Sequence, residues 1–423
     1  MIFLLFFLVL LISLLVSKKT YGFFISPLTI FIGVFSIGFA FLFGSSFIDY
    51  SLIDERTALI YILSFCFFVV GTFFYGFFAR IRKNTYIVRK KQPFTKKKYK
   101  ISIYVLFLIV LIATSLYWIA CAKSLGTSNL FMSILETKEI ESIAGFPTIL
   151  LYLKMISVFL SPYVVFYIIK YNDYSVKLFL IVIFTLLANI AYTRMSLFYV
   201  IALDLFVFIY AKEKPKKKSF KKTILTGTCV VATLIISLYI FSFTQALLNK
   251  TFNINGQLFG MKIDNSTATI ISYFSGPIVS SRVYLDEMTS IPKLGYTLRS
   301  FKSLINMFGA DFDTSSYFPE KWVYIPFKFN TASIQFYIFG EGGFLWLCIF
   351  FFAFGAISSG VFIHFKNNKD PFSLMILAII SLVLFFSIRG YLFTRLDVFI
   401  FVVITFILYV MGKLFIPTQR LSS

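Results

Sequence analysis

The stretch "TALIYILSFCFFVVGTFFYGFFARIRKNTYIVRKKQPFTKKKYK", residues 57–100, decides the fold. Its first part, 57–79, is apolar and carries no charge. A run of about 20 such residues is long enough to cross the hydrocarbon core of a bilayer as a helix. Its second part, 80–100, holds ten Lys/Arg and no acid. Basic residues crowd the cytoplasmic side of a membrane span. One stretch thus predicts both a transmembrane helix and its orientation.

The pattern repeats along the whole chain. The sequence has 423 residues, 59% of them hydrophobic and 20% aromatic, with a mean hydropathy of +0.88. Soluble domains are nearer 45–50% apolar. Eleven spans are expected, at 2–17, 23–44, 57–79, 101–122, 147–169, 178–192, 196–211, 223–243, 343–363, 371–388 and 396–412, so the fold class is an all-α polytopic membrane protein. Residues 1–17 lack a basic n-region and a small-residue cleavage site, and Lys18-Lys19 follow them. They read as a retained first helix.

The net charge of +22 is unevenly placed. Alternation puts 18–22, 80–100, 170–177, 212–222, 364–370 and the tail from 413 on one side. These hold 25 Lys/Arg against three acids, whereas the remainder holds 15 of each. The basic loops are therefore cytoplasmic, with the N-terminus outside and the C-terminus inside. They serve orientation and contact with anionic lipid rather than nucleic acid. The four cysteines are scattered through the spans and offer no disulfide framework or metal cluster. The single histidine, His364, falls at a cytoplasmic helix end, which excludes a histidine base on the outer face.

One connection stands apart. Residues 244–342 form a large external loop between the eighth and ninth spans, with eight Lys/Arg and seven acids. A connection this long is usually functional or disordered; its aromatics throughout predict a partly helical, folded segment belonging to a single membrane domain, 1–423. "YTLRSFKSLINMF" (296–308) reads as an amphipathic helix with Leu298, Phe301, Ile305 and Phe308 on one face. "STATIISYFSGPIVSSRVYLDEM" (266–288) reads as two helices broken at Gly276-Pro277.

Without an external histidine, proton transfer falls to a carboxylate. Asp311 and Asp313, in "ADFD", and Glu341, inside the glycine cluster "FGEGGF", are the catalytic candidates. Glu341 sits at the expected bilayer edge, where an unpaired charge is costly. Three arginines occupy the outer boundary, where positive charge is normally depleted: Arg194 in the turn "YTRMS" (192–196), and Arg389 and Arg395 in "IRGYLFTRLD" (388–397). They read either as phosphate ligands, for which the planar guanidinium is suited, or as side chains snorkelling to headgroups. Arg282 and Arg299 in the loop extend the set. Asp204, deep in its span, is either functional or a neutral carboxyl hydrogen-bonded to another helix.

The layout, together with "FNTASIQFYIFGEGGF" (329–344), "TRMSLF" (193–198), "SYFSGPIV" (272–279) and "SIRGYLF" (387–393), resembles the O-antigen polymerases of the Wzy type. The resemblance covers nearly the whole chain in architecture, although the motifs are short. It implies a GT-C-like fold with about eleven transmembrane helices in a bacterial inner membrane. The implied activity is transfer of a growing glycan from undecaprenyl pyrophosphate to a sugar hydroxyl of the next lipid-linked repeat unit. The transfer takes place on the periplasmic face, with inversion and with neither cofactor nor metal. It also implies that Arg194 and Arg389 hold the pyrophosphate, that Asn330, Gly340 and Gly343 wall the cavity, and that a chain-length regulator is a partner. Glu341 departs from the family's pattern, in which the glycines follow an aromatic directly. The competing readings are an O-antigen ligase, which relies on an external histidine absent here, and a lipid-linked oligosaccharide flippase, which would show related halves.

Overall fold

The computed structural model describes residues 2–49, 53–82, 96–125, 148–190, 194–212, 256–287, 294–306, 309–313, 323–325, 328–329, 331–392 and 398–406. The chain is mostly helical, and six helices are long and apolar enough to cross a membrane. The helices are α1 (Ile2–Tyr21), α2 (Pro27–Gly44), α3 (Glu55–Arg82), α4 (Lys96–Leu125), α5 (Thr148–Tyr171), α6 (Val176–Ile190), α7 (Arg194–Lys212), α8 (Asn265–Glu287), α9 (Arg299–Asn306), α10 (Ile334–Asn368) and α11 (Pro371–Phe386). Residues 398–406 are also helical. The six long spans are on α1, α2, α3, α4, α10 and α11, and shorter apolar helices occupy the expected spans 147–169, 178–192 and 196–211. The expected span 223–243 lies outside the described residues. The protein is an all-α polytopic membrane protein whose only described strands are two small antiparallel ribbons, β1 (Gly256–Leu258) with β2 (Met261–Ile263) and β3 (Val323–Tyr324) with β4 (Lys328–Phe329).

The chain divides into two compact units. The first comprises Met1–Ile87, Val231–Asn368 and Ile380–Phe399, and the second Val88–Val230, Lys369–Ile379 and Ile400–Ser423.

In the first unit, α3 and α10 pack along their length through a reciprocal glycine contact. A Cβ at Gly71 would fall 2.0 Å from the Phe352 carbonyl oxygen, and one at Gly355 would fall 2.2 Å from that of Phe68. Apolar side chains gain little from leaving lipid, so membrane helices associate through small residues that let backbones approach. Around this seam Phe31, Phe35, Phe68 and Phe351 are fully buried, with Phe31 and Phe68 only 4.2 Å apart by ring centroids. The start of α2 is set locally by "SPLT": Ser26 caps the helix in a capping box with Thr29, and Pro27 takes the first turn. The β1–β2 turn is held by Phe259, whose N–H donates to the Gly44 carbonyl at 2.7 Å.

Two expectations about the 244–342 segment are corrected. The break at Gly276-Pro277 does not occur, since α8 runs continuously through both residues. Proline removes one backbone donor and crowds the preceding turn. Here the helix continues through Pro277 to Glu287, and the Ser281 hydroxyl packs back to donate to the Pro277 carbonyl at 2.6 Å. The amphipathic helix begins at Arg299, three residues later than predicted, with Leu298 and Phe301 exposed and Ser300 buried. The ninth span also starts earlier than 343. Helix α10 begins at Ile334 and carries the glycine cluster as an internal kink.

In the second unit, α5 packs against α4, α6 and α7. At one end Asp173 accepts from Lys100 Nζ at 3.0 Å and from the Tyr167 hydroxyl at 3.2 Å. The Lys100 hydrogen bond, despite some opposing desolvation, holds the Asp173 carboxyl below the usual carboxylate value.

Candidate functional site

The site is built on the first unit, around the N-terminal half of α10. Gly343 has φ +66°, a backbone that side chains with a Cβ rarely adopt, and with Gly342 it interrupts the helix. The preceding residue, Glu341, is 3% exposed. Its Oε1 accepts from the Thr297 backbone N–H at 2.6 Å, and its Oε2 accepts from the Thr297 hydroxyl at 2.6 Å and Trp346 Nε1 at 3.0 Å. The kink turns Trp346 back onto the carboxylate it follows by five residues. A buried charge needs this degree of satisfaction. Both oxygens are therefore engaged, and Glu341 fastens the 294–298 turns to α10. Beside it, burial pushes the Tyr391 phenol above its usual value, with the Glu341 charge adding to this and a hydrogen bond with Thr297 opposing it.

A second fastening lies one helix over. The Tyr61 hydroxyl of α3 meets Ser333 Oγ at 2.8 Å, and the Ser333 N–H donates to Ser281 Oγ of α8 at 3.0 Å. The Tyr284 hydroxyl donates to the Phe329 carbonyl at 3.2 Å. The strand β4 and the residues before α10 are thus tied to α8.

Four arginines are carried on this framework. The Arg389 guanidinium, in the single 3₁₀ turn Ser387–Arg389 that follows α11, stacks 4.2 Å from the Tyr273 ring centroid. Arg282 Nε lies 2.8 Å from Asp54 Oδ2. Asp54 also caps α3, accepting from the Thr57 N–H at 2.8 Å. Burial alone would raise the Asp54 carboxyl, but Thr57 and the charges of Arg282 and Arg56 hold it below the usual value. Arg56 sits 5.1 Å from the Phe339 ring centroid, and Arg299 opens α9 within electrostatic reach of the Tyr337 phenol. Cation–π contacts of this kind orient a guanidinium without neutralising it.

Of the residues singled out from sequence, the structure gathers Glu341, Gly340, Gly343, Arg282, Arg299 and Arg389 in the first unit. Asp311 and Asp313 are exposed in a turn pinned by Asn306, which exchanges two hydrogen bonds with the Phe312 backbone at 2.7 and 2.8 Å. Arg395, Asn330 and the side chain of Arg194 lie outside the described residues. Sequence reasoning missed Asp54, Arg56, Tyr273, Thr297 and Trp346. Arg56 had a usable signal, an arginine just ahead of the span at 57–79 on its acidic rather than its basic side. Thr297 had none, because its partner is 44 residues away. Among the described residues no group of three or more His, Cys, Asp and Glu side chains could hold a metal ion.

No protein-family model, curated protein or solved structure matches the chain.

Proposed function

We propose that the protein is a polysaccharide polymerase of the O-antigen type, joining lipid-linked oligosaccharide repeat units on the periplasmic face of a bacterial inner membrane. The observation that carries the reading is the set of arginines braced by aromatic rings and by Asp54 around the kinked helix α10. Arg389 on Tyr273 and Arg282 on Asp54 attach to α8 nine residues apart, about 14 Å by helix rise. Two lipid-pyrophosphate substrates, a donor chain and an acceptor unit, would each find a guanidinium.

In the reaction the acceptor hydroxyl attacks the anomeric carbon of the donor sugar. The bond from that carbon to the pyrophosphate oxygen breaks, and undecaprenyl pyrophosphate leaves with the electron pair. Arginines stabilise the charge that develops on the leaving group. The hydroxyl proton passes to a carboxylate, for which Asp311 and Asp313 are the exposed candidates. Glu341, with both oxygens engaged, acts as a positioning residue.

The test is deletion of the chain in its bacterium followed by gel analysis of surface glycan. Loss of the ladder with a single capped repeat unit left is the expected result. Loss of all surface glycan would overturn the reading in favour of a ligase or flippase.

A further inference from the structure

The second unit contains a carboxylate that glycan transfer does not use. Asp204 lies in α7, ten residues from Arg194 and eight from Lys212, hence about 15 and 12 Å from the two helix ends by helix rise. Opposite it, α5 carries Ser157 and Ser161 one turn apart. The Ser161 hydroxyl donates to Asp204 Oδ2 at 2.7 Å. Ser157 Oγ accepts from Asn189 Nδ2 of α6 at 3.1 Å, and the same amide donates to the Thr185 carbonyl at 2.7 Å. A polar seam therefore joins α5, α6 and α7 within apolar surroundings.

The seam is incomplete. Asp204 Oδ1 is shut off from solvent and has no hydrogen-bond partner among the described residues. With the carboxylate charged, this leaves a bare anionic oxygen that no described protein group answers. The charged residues of the helices packed here fall towards their ends: Lys96, Lys97, Lys98, Lys100 and Lys123 on α4, Lys154 and Lys170 on α5, Lys177 on α6, and Arg194 and Lys212 on α7. Tyr99, Tyr163, Tyr167 and Tyr171 gather towards the Asp173 end. The one side chain that meets the Asp204 carboxylate among the described residues is Ser161.

We propose that Asp204 is an intramembrane binding site for one small monovalent cation, a proton or a sodium ion. The cation would complete Oδ1, with the Ser161 hydroxyl as the neighbouring oxygen donor and Ser157 one turn away along α5. A single buried carboxylate matches a single positive charge, and carboxylate and hydroxyl oxygens suit hard cations. Intramembrane acids of this kind serve as ion sites and proton relays. The site stands on the second unit alone and does not depend on the glycan-transfer reading.

The test uses the purified full-length protein in detergent and a fluorescent carbodiimide, which adds to a protonated carboxyl in apolar surroundings. Labelling is located by peptide mass. The expected result is modification of Asp204 that is lost on raising the pH from 6 to 9 and absent in Asp204→Asn. Protection by sodium chloride but not choline chloride identifies sodium; equal labelling in the two salts identifies the proton. Ser161→Ala keeps the carboxyl but removes its donor, so its labelling should persist to higher pH than in the parent. An unlabelled Asp204, or labelling indifferent to pH and to both salts, overturns the proposal.

Discussion

Thr297 gives Glu341 two hydrogen bonds at once: its backbone N–H reaches Oε1 and its hydroxyl reaches Oε2, both at 2.6 Å. One residue of the turns before α9 thereby reads both oxygens of a carboxylate at the kink of α10. The pair fixes the position of a segment that also carries Arg299.

Removing one side of this pair should loosen the segment rather than stop the chemistry. Thr297→Val deletes the hydroxyl and keeps the backbone donor, and a hydrogen bond to a charged group is worth about 1.5–3 kcal/mol. The melting temperature in detergent should fall accordingly. Glu341→Gln should fall as well, and the double variant by less than the sum of the two. Glycan formation by Glu341→Gln should track the amount of folded protein with an unchanged pH profile. An abolished ladder at normal protein level would return Glu341 to the role of base.

The seam between α3 and α10 makes a sharper stability prediction. Gly71→Ala places a methyl group 2.0 Å from the Phe352 carbonyl oxygen, and Gly355→Ala places one 2.2 Å from that of Phe68. Backbone cannot swing aside as a flexible side chain can. Each variant should lose at least about 1–3 kcal/mol, visible as a lower melting temperature or poor recovery from the membrane. Gly76→Ala in the same helix, where a Cβ would meet nothing within 4 Å, should be neutral or gain up to about 1 kcal/mol.

The Asp54–Arg282 pair should show a defined pH dependence. Because the folded-state pKa of Asp54 is lowered, its contribution is full above the unfolded value of about 3.9 and is lost as pH falls through the folded value. The Asp54 side chain is 38% exposed, so the gain is screened to about 1 kcal/mol at most. Melting curves of the parent and Asp54→Asn should differ at pH 7, more so at low salt, and converge once the pH has fallen through the lowered folded-state value.

Arg389 tests the arginine framework directly. Arg389→Ala should reduce glycan polymerisation by about 10²–10³-fold, the scale of losing one charge-stabilising donor. Arg389→Lys should not rescue it, since an ammonium neither lies flat on a ring nor grips phosphate with two parallel donors. Tyr273→Phe keeps the stacking face and should be tolerated, whereas Tyr273→Leu should not.

The candidate site was half legible beforehand. Arg389 and Glu341 stood out because charge at a membrane boundary is locally conspicuous, requiring only the knowledge of where a span ends. Thr297, Trp346 and Tyr273 did not, because a threonine or an aromatic in an apolar chain looks like its neighbours until a partner arrives. The assumed helix break at Gly276-Pro277 failed for a related reason. The residues around it, Ser275, Ser280 and Ser281, are buried and hydrogen-bonded to backbone carbonyls, contacts that propensity alone does not reveal.

What the sequence determined by itself was the membrane character and the placement of most helices. A helix in lipid must satisfy its own backbone within one segment, so a run of 20 apolar residues is sufficient information. The tertiary structure alone decided which helices press together through Gly71 and Gly355, and that Glu341 is a fastening and Asp54 an orienting partner. Among the described residues, it alone left one Asp204 oxygen without a hydrogen-bond partner. Each of those outcomes depends on atoms brought together from distant parts of the chain, at distances of two to three ångströms that no local pattern encodes.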